Sequence, residues 1–287
     1  MTNPIKDNVF DVTDKSYIAA LRYYESPTVK SAMQDWWNGL AVAFRRQGIQ
    51  GVPGKLFMEG GFNEGIGRPN LLFGQTCGYP FTHEFRGKLN VIATPIYDAP
   101  HSNGPEYSSV ILANKHSGIV TLEDAEGKCV AVSNRDSFSG YIALQSVFLP
   151  FAGDSPFFDS ILITVSQWNS LLAVADGRAD IFACDCISYE LARLANSELV
   201  EQLRFIGTSP YAPGLPYVIN KNVSPDLICR LRKGLFEALE DASLASVRKE
   251  LLISGASCTT NDDYQTIIDL VSMLRKNESS KLFPDSS

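Results

Sequence analysis

Apolar and polar positions alternate along this chain with two different periods. Between Thr28 and Gln47, Ala32, Trp36, Leu40 and Phe44 recur every four residues, the spacing of one helical face, and predict a helix there. Shorter apolar runs bounded by turn-forming residues predict strands over Tyr17–Tyr24, Leu56–Met58, Leu71–Phe73, Leu89–Ile96 and Tyr107–Asn114. Gly60–Asn70 and Asp98–Gly104 read as loops. The middle third repeats one unit. Strands at Lys128–Val132, Ser160–Thr164 and Ile181–Cys184 are followed by helices at Ser139–Phe151, Gln167–Asp176 and Ile187–Asn196, and Leu203–Thr208 adds a strand. Such alternation predicts a small parallel sheet with crossover helices. Tyr211–Asn220 reads as extended, Ser224–Lys276 as helical, and Asn277 onward as a frayed end.

These elements give an α/β fold class with a division into two lobes. The block from Lys115 to Thr208 is a complete α/β unit set inside another. The flanking stretches, Tyr107–Asn114 and Pro210–Asn220, are then expected to be two crossover hinge strands. Residues 1–110 together with 211–287 would form lobe 1, and residues 111–210 lobe 2. A ligand is expected in the cleft between them, where strand ends and helix starts meet.

Charge and composition narrow the partners. The chain has 287 residues, with 25 Lys and Arg against 32 Asp and Glu, a net charge of −7. That leaves no basic face to neutralise phosphates, so no nucleic-acid partner is expected. No run of about 18 apolar residues is present, so no membrane insertion is expected. The hydrophobic share of 45% excludes a disordered chain. Six cysteines without a C-x-x-C pair and three histidines give poor support for zinc, and neither metal nor cofactor is expected. The cysteines sit mostly in apolar runs and are read as small buried hydrophobes. The start, Met1–Asp14, lacks the basic and apolar regions of a secretory signal. As written it predicts a cytoplasmic protein, or a periplasmic one had a leader been trimmed away.

Candidate chemistry gathers at three strand-to-helix turns. Asp136-Ser137-Phe138-Ser139-Gly140 opens the helix carrying Tyr141, Leu144 and Phe148. Val165-Ser166-Gln167-Trp168 opens the next, and Gln75-Thr76-Cys77-Gly78-Tyr79 lies in the other lobe. Serine hydroxyls and free N–H groups at a helix start form an anion site. For one turn alone an ordinary N-cap is the commoner reading. Asp185, at the end of its strand, is either a ligand contact or a cap. Asp136 and Asp185 facing the cleft would oppose a bare dianion and favour an amine. Tyr24, Tyr79 and Tyr107 are further candidate contacts, while Tyr211 is read as packing. No Walker A, G-x-S-x-G, H-E-x-x-H or G-x-G-x-x-G motif occurs, and Cys77 has no evident histidine partner, so an enzyme is not expected.

Several segments together resemble a known family. They are Gln75–Pro80, Gly104–Ser109, Ser137–Gly140, and Ser170–Asp180 through Asp185-Cys186. In order, they resemble the phosphate/phosphite/phosphonate ABC-transporter substrate-binding proteins, most of all the PhnD-like branch, over roughly residues 17–220. The resemblance implies a two-lobed type 2 periplasmic-binding-protein fold, a small-molecule ligand and an ABC permease partner. In that family a Ser-Thr-Ser-Gly turn holds the phosphonate oxyanion. The matching positions here are Ser137, Phe138, Ser139 and Gly140, with Phe138 in place of the threonine. Where relatives often carry histidine, this chain has Gln167. Both changes weaken the match to a phosphonate dianion and leave room for another small polar ligand. The absent leader is a third departure. Two rival classes share the fold: a cytoplasmic sensor, and an enzyme of the thiamine-precursor type, whose cysteine-rich run is lacking here.

Overall fold

The computed structural model describes residues 17–22, 24 and 29–284, so Met1–Asp14, Tyr23 and Thr28 lie outside the described residues. The first half of the chain forms β1 (Ile18–Ala20), α1 (Lys30–Arg46), β2 (Leu71–Gln75), α2 (Gly78–Thr82), β3 (Leu89–Tyr97), β4 (Ser102–Asn103), β5 (Glu106–Tyr107) and β6 (Ser109–Asn114). It continues through β7 (Cys129–Val132), α3 (Ala143–Phe148), β8 (Ser160–Ile163), α4 (Gln167–Ala175), β9 (Ile181–Asp185), α5 (Cys186–Ala195), α6 (Ser197–Val200) and β10 (Leu203–Thr208). The last part is β11 (Ala212–Pro213), β12 (Tyr217–Asn220), α7 (Pro225–Glu240), α8 (Ala245–Glu250), β13 (Ile253–Ser257) and α9 (Gln265–Lys276). Among the described residues no helix is long and apolar enough to cross a membrane.

Two sheets make the two lobes. One runs β1-β2-β12-β3-β13 and the other β10-β6-β9-β7-β8. In the second lobe β7 pairs in parallel with both β8 and β9, as the repeated strand–helix unit predicts. β6 breaks the pattern by running antiparallel to β9 and β10. It enters from the other lobe rather than from a crossover helix, so the right-handed βαβ rule does not set its direction.

The first lobe is held by the apolar face of α1. Trp36, Trp37, Leu40 and Phe44 are fully buried. Burying each such side chain contributes about 1.5–3 kcal/mol. Phe44 lies 5.2 Å from Phe73 of β2, which lies 4.8 Å from Tyr217 of β12. The indole Nε1 of Trp36 donates to the Tyr217 hydroxyl at 3.3 Å, so the polar tip of the buried ring is satisfied.

The chain crosses between lobes at 98–108 and at 209–216. The crossings are stitched together, because Ala212 pairs with Tyr107 and Pro213 with Glu106 in a small sheet that also holds β4. The expected strand Tyr107–Asn114 is therefore broken at Ser108, whose N–H turns to the His101 carbonyl at 2.9 Å, and β6 is a full member of the second sheet.

Four other expectations are corrected. Leu56–Met58 is not a strand; only the Phe57 N–H reaches β1, at Ala19 O, 2.7 Å away. The helix expected over Ser139–Phe151 is a π-type turn at Phe138–Ile142, then α3, then a 3-10 turn at Leu149–Phe151. Pro150 lacks the N–H that a continuing α-helix needs. The segment read as helical from Ser224 to Lys276 contains β13, antiparallel to β3. Beyond Asn277, the described residues to 284 are anchored rather than frayed. Leu282 and Phe283 are buried, with the Phe283 ring 5.5 Å from Phe158 and 5.1 Å from Tyr141. Phe158 N–H donates to Leu282 O at 2.9 Å, and Ser279 Oγ to Gln145 Oε1 at 2.5 Å. The carboxy-terminal segment thus fastens α9, which packs on α2, to the second lobe.

Candidate functional site

A cavity of about 420 Å³ lies between the lobes, lined by residues of both. Its polar end is built on the turn after β7. Ser137 is extended, and its Oγ accepts the Gly140 N–H at 3.0 Å. Its carbonyl accepts the Ile142 N–H at 3.1 Å, five residues on, which sets the π turn. From the next helix, Gln167 Nε2 donates to Ser139 Oγ at 2.9 Å. From the other lobe, Cys77 Sγ accepts the Phe138 N–H at 3.4 Å. A Cβ added to Gly140 would meet Ser133 Oγ at 2.7 Å, Gln167 Nε2 at 3.0 Å and Ser137 Oγ at 3.1 Å. Three neutral polar groups therefore converge on Gly140, an approach that only glycine leaves open.

The second turn carries strain. Ser166 caps α4 by accepting the Asn169 N–H at 3.1 Å. The residue before it, Val165, has φ of 72°. A β-branched residue in the left-handed region costs on the order of 1–3 kcal/mol. The Val165 N–H holds to Ser133 O at 2.8 Å, yet the residue stays 61% exposed on the cavity wall.

Asp185 caps a helix and also faces the cavity. Its Oδ1 accepts the Ser188 N–H at 2.8 Å, capping α5, and the residue also lines the cavity. Burial pushes its carboxyl above the usual carboxylate range, against the opposing Ser188 hydrogen bonds. Glu64 and Asp136 line the same cavity, and among its described lining residues there is no Lys, Arg or His. Tyr24 lines it too, with its ring edge-on to Tyr97 at 5.3 Å. Burial, and then the charge of Asp185, push the Tyr24 phenol up, so it is a hydrogen-bonding group and not an anion. The Tyr24, Thr76 and Ser109 hydroxyls and Gln167 Oε1 are buried without a partner among the described residues. The Tyr107 hydroxyl is likewise buried without a partner among the described residues, and burial pushes its phenol up.

Of the residues singled out in the sequence, Tyr24, Asp136, Ser137, Ser139, Gln167 and Asp185 meet on the cavity. Thr76, Phe138 and Gly140 are buried in or beside the same turns, and the Phe138 ring is edge-on to Tyr107 at 6.4 Å. Tyr79 is not brought to the cavity. Its ring stacks on His83 at 4.2 Å and its hydroxyl accepts from Arg275 at 3.4 Å, because the turn of α2 presents it to α9. Ser133, Glu64 and Trp168 line the cavity and were not among the sequence candidates. Ser133 directly follows the parallel strand β7, close to the signal that pointed to Asp185 at the end of β9. Burial pushes the Cys77 thiol up to about 11, so at neutral pH it is a protonated thiol. Cys184 and Cys186 are buried as expected, but Cys229 and Cys258 are exposed, on α7 and after β13.

Comparison with known proteins places this geometry. A family model described as "ABC transporter, phosphonate, periplasmic substrate-binding protein" matches residues 26–264. Among solved structures, the chain is similar to a binding-protein component of an ABC phosphonate transporter from Pseudomonas aeruginosa, at TM-score 0.76 and 22% identity, over 93% of this chain and 89% of that one. It is also similar to PhnD1 from Prochlorococcus marinus, solved with methylphosphonate, at TM-score 0.74 and 14% identity, over 91% and 99%. A Xanthomonas citri protein solved with ATP matches at TM-score 0.66 and 17% identity, over 92% and 98%. At these identities the structures show the shared two-lobed fold. The family match covers most of the chain, and with it the chain belongs to the periplasmic substrate-binding proteins of phosphonate ABC transporters.

Proposed function

We propose that this chain is a non-enzymatic capture protein for a small zwitterionic acid, phosphonate-like at one end and donor-rich or cationic at the other. It closes its lobes, residues 1–110 with 211–287 against 111–210, on that ligand and presents it to an ABC permease outside the cytoplasm. The observation that carries the reading is the set of neutral polar groups converging on Gly140 in a cavity whose charged lining is acidic. Ser137, Ser139 and Gln167 hydrogen-bond the oxyanion. They supply no positive charge, so the ligand's own cationic end balances it against Asp136 and Asp185. Tyr24, Thr76 and Tyr107 offer hydroxyls to the ligand from lobe 1 and the first crossing. The protonated Cys77 speaks against a thiolate enzyme on this fold.

Titration calorimetry with inorganic phosphate, 2-aminoethylphosphonate and alanine tests this. The aminoalkylphosphonate should bind at least tenfold more tightly than phosphate. Phosphate binding most tightly would overturn the charge argument, and would make Asp136 and Asp185 caps without a ligand role.

A further inference from the structure

Beside its polar and acidic groups, the cavity has apolar lining that comes from both lobes. On lobe 2, Trp168 and Leu171 stand one helical turn apart on α4, and Leu191 and Ala192 belong to α5. Lobe 1 contributes Phe62 and Pro80. A cavity of 420 Å³ lies in the range that encloses an organic ligand of many atoms, and a single methyl group on an acid fills little of it. Val165 adds an independent sign. It is an exposed β-branched side chain with φ of 72°, lining the cavity beside Ser166 and Gln167. Backbone strain of this kind collects where a side chain is held for contact with a ligand.

We infer that the cavity contains a subsite for an apolar substituent, formed by Trp168, Leu171, Leu191 and Phe62 next to the Gly140 turn. The ligand is an acid or zwitterion bearing an aliphatic or aromatic group larger than methyl. This rests on the proposed function for its acidic end, but the subsite has its own chemistry. Buried apolar area raises affinity without adding charge, and two aromatic rings in the wall suit a planar substituent.

The experiment compares two ligand pairs on the full chain: phenylphosphonate against methylphosphonate, and phenylalanine against alanine. Calorimetry gives the affinities. Tryptophan fluorescence gives the location, because Trp36 and Trp37 are fully buried in lobe 1 while Trp168 is at the cavity. The expected result is at least a tenfold preference for the phenyl compound in one pair, with a fluorescence change that Trp168→Phe removes. Trp168→Ala should reduce that preference to threefold or less, and its melting temperature shows whether the variant is folded. Should it not fold, Leu191→Ser probes the same wall. A preference in the amino-acid pair with no phosphonate binding supports the subsite and overturns the phosphonate end of the proposed function. Phosphonates binding with no phenyl preference overturn the subsite and leave the proposed function standing. No binding in either pair overturns both.

Discussion

The hydroxyls at the helix-start turns of lobe 2 are paired, whereas buried hydroxyls of lobe 1 are not. On lobe 2, Ser137 accepts from the Gly140 N–H, Ser139 from Gln167 and Ser166 from the Asn169 N–H. Thr164 Oγ1 and Ser170 Oγ lie 2.6 Å apart in the same lobe. On lobe 1, the Tyr24 and Thr76 hydroxyls are buried with no partner among the described residues, a state that Ser109 Oγ at the start of β6 shares. A paired hydroxyl stabilises its turn, whereas an unpaired buried one costs about 1–3 kcal/mol. Lobe 2 therefore presents a turn whose shape is set by its own hydrogen bonds. Lobe 1 carries buried hydroxyls with no such bonds among the described residues, so substitutions on the two sides should differ in sign as well as in size.

The largest effect is expected at Gly140. A methyl group there must displace Ser133 Oγ, Gln167 Nε2 and Ser137 Oγ together. Gly140→Ala should weaken binding of 2-aminoethylphosphonate by tenfold to a hundredfold, about 1.4–2.8 kcal/mol. Its stability should change less, because alanine is favoured over glycine in a helix by about 1 kcal/mol and offsets part of the crowding. Calorimetry beside a denaturant melt separates the two. Unchanged affinity would show that the Gly140 cradle is a cap and that lobe 2 is preorganised for nothing.

A smaller and more diagnostic pair sets the walls against each other. Ser137→Ala removes a cap and should cost about 1 kcal/mol of stability. Thr76→Val removes an unpaired buried hydroxyl at nearly constant volume and should stabilise the ligand-free protein by about 1 kcal/mol. Urea midpoints should move in opposite directions. Two shifts of the same sign would break the contrast between the walls.

How much of this was legible in the sequence follows from what each signal depends on. α1 is a long amphipathic helix, and its four-residue spacing survives any tertiary context. β13 is five residues with a central glycine, Gly255, between two helical periods, and only pairing with β3 makes it a strand. The placement of Ser137, Gln167 and Asp185 on the cavity was legible because strand ends and helix starts gather at the carboxyl edge of a parallel sheet. Ser133 obeys the same rule, but it lies outside the Asp136–Gly140 turn. Phe62 and Glu64 lie in the aperiodic loop 60–70. That loop is placed from a distance: Arg22 donates to Gly60 O at 2.7 Å and sits 5.6 Å from the Phe62 ring. Nothing local encodes such a contact. Tyr79 went astray for a related reason. In a five-residue helix, which side chain faces the cleft is decided by the partner helix, here α9.

Asp185 belongs to both sides of the contrast, and the smallest predicted effect lies there. Its Oδ1 is paired with the Ser188 N–H, like the lobe 2 hydroxyls. Its burial nonetheless disfavours the charged form and raises the folded-state pKa above that of the unfolded chain. Between the ordinary carboxylate range and the raised value, the folded protein keeps a proton that the unfolded chain releases. The stability linked to this group is therefore fully present below the ordinary range and is lost as pH rises through the raised pKa. Asparagine caps a helix about as well as aspartate and does not titrate. Asp185→Asn should therefore differ little from the parent in acid. Its melting temperature should then gain on the parent as the pH approaches neutrality. A difference that stays flat across that range would mean that the Ser188 contacts fully offset the burial. Asp185 would then be an ordinary charged cap, and the cavity would hold a fixed negative charge at every working pH. A difference that grows would mean that the free protein resists ionising Asp185. A cationic ligand end would then be the group that draws the proton off, and its affinity should strengthen as pH rises over the same window.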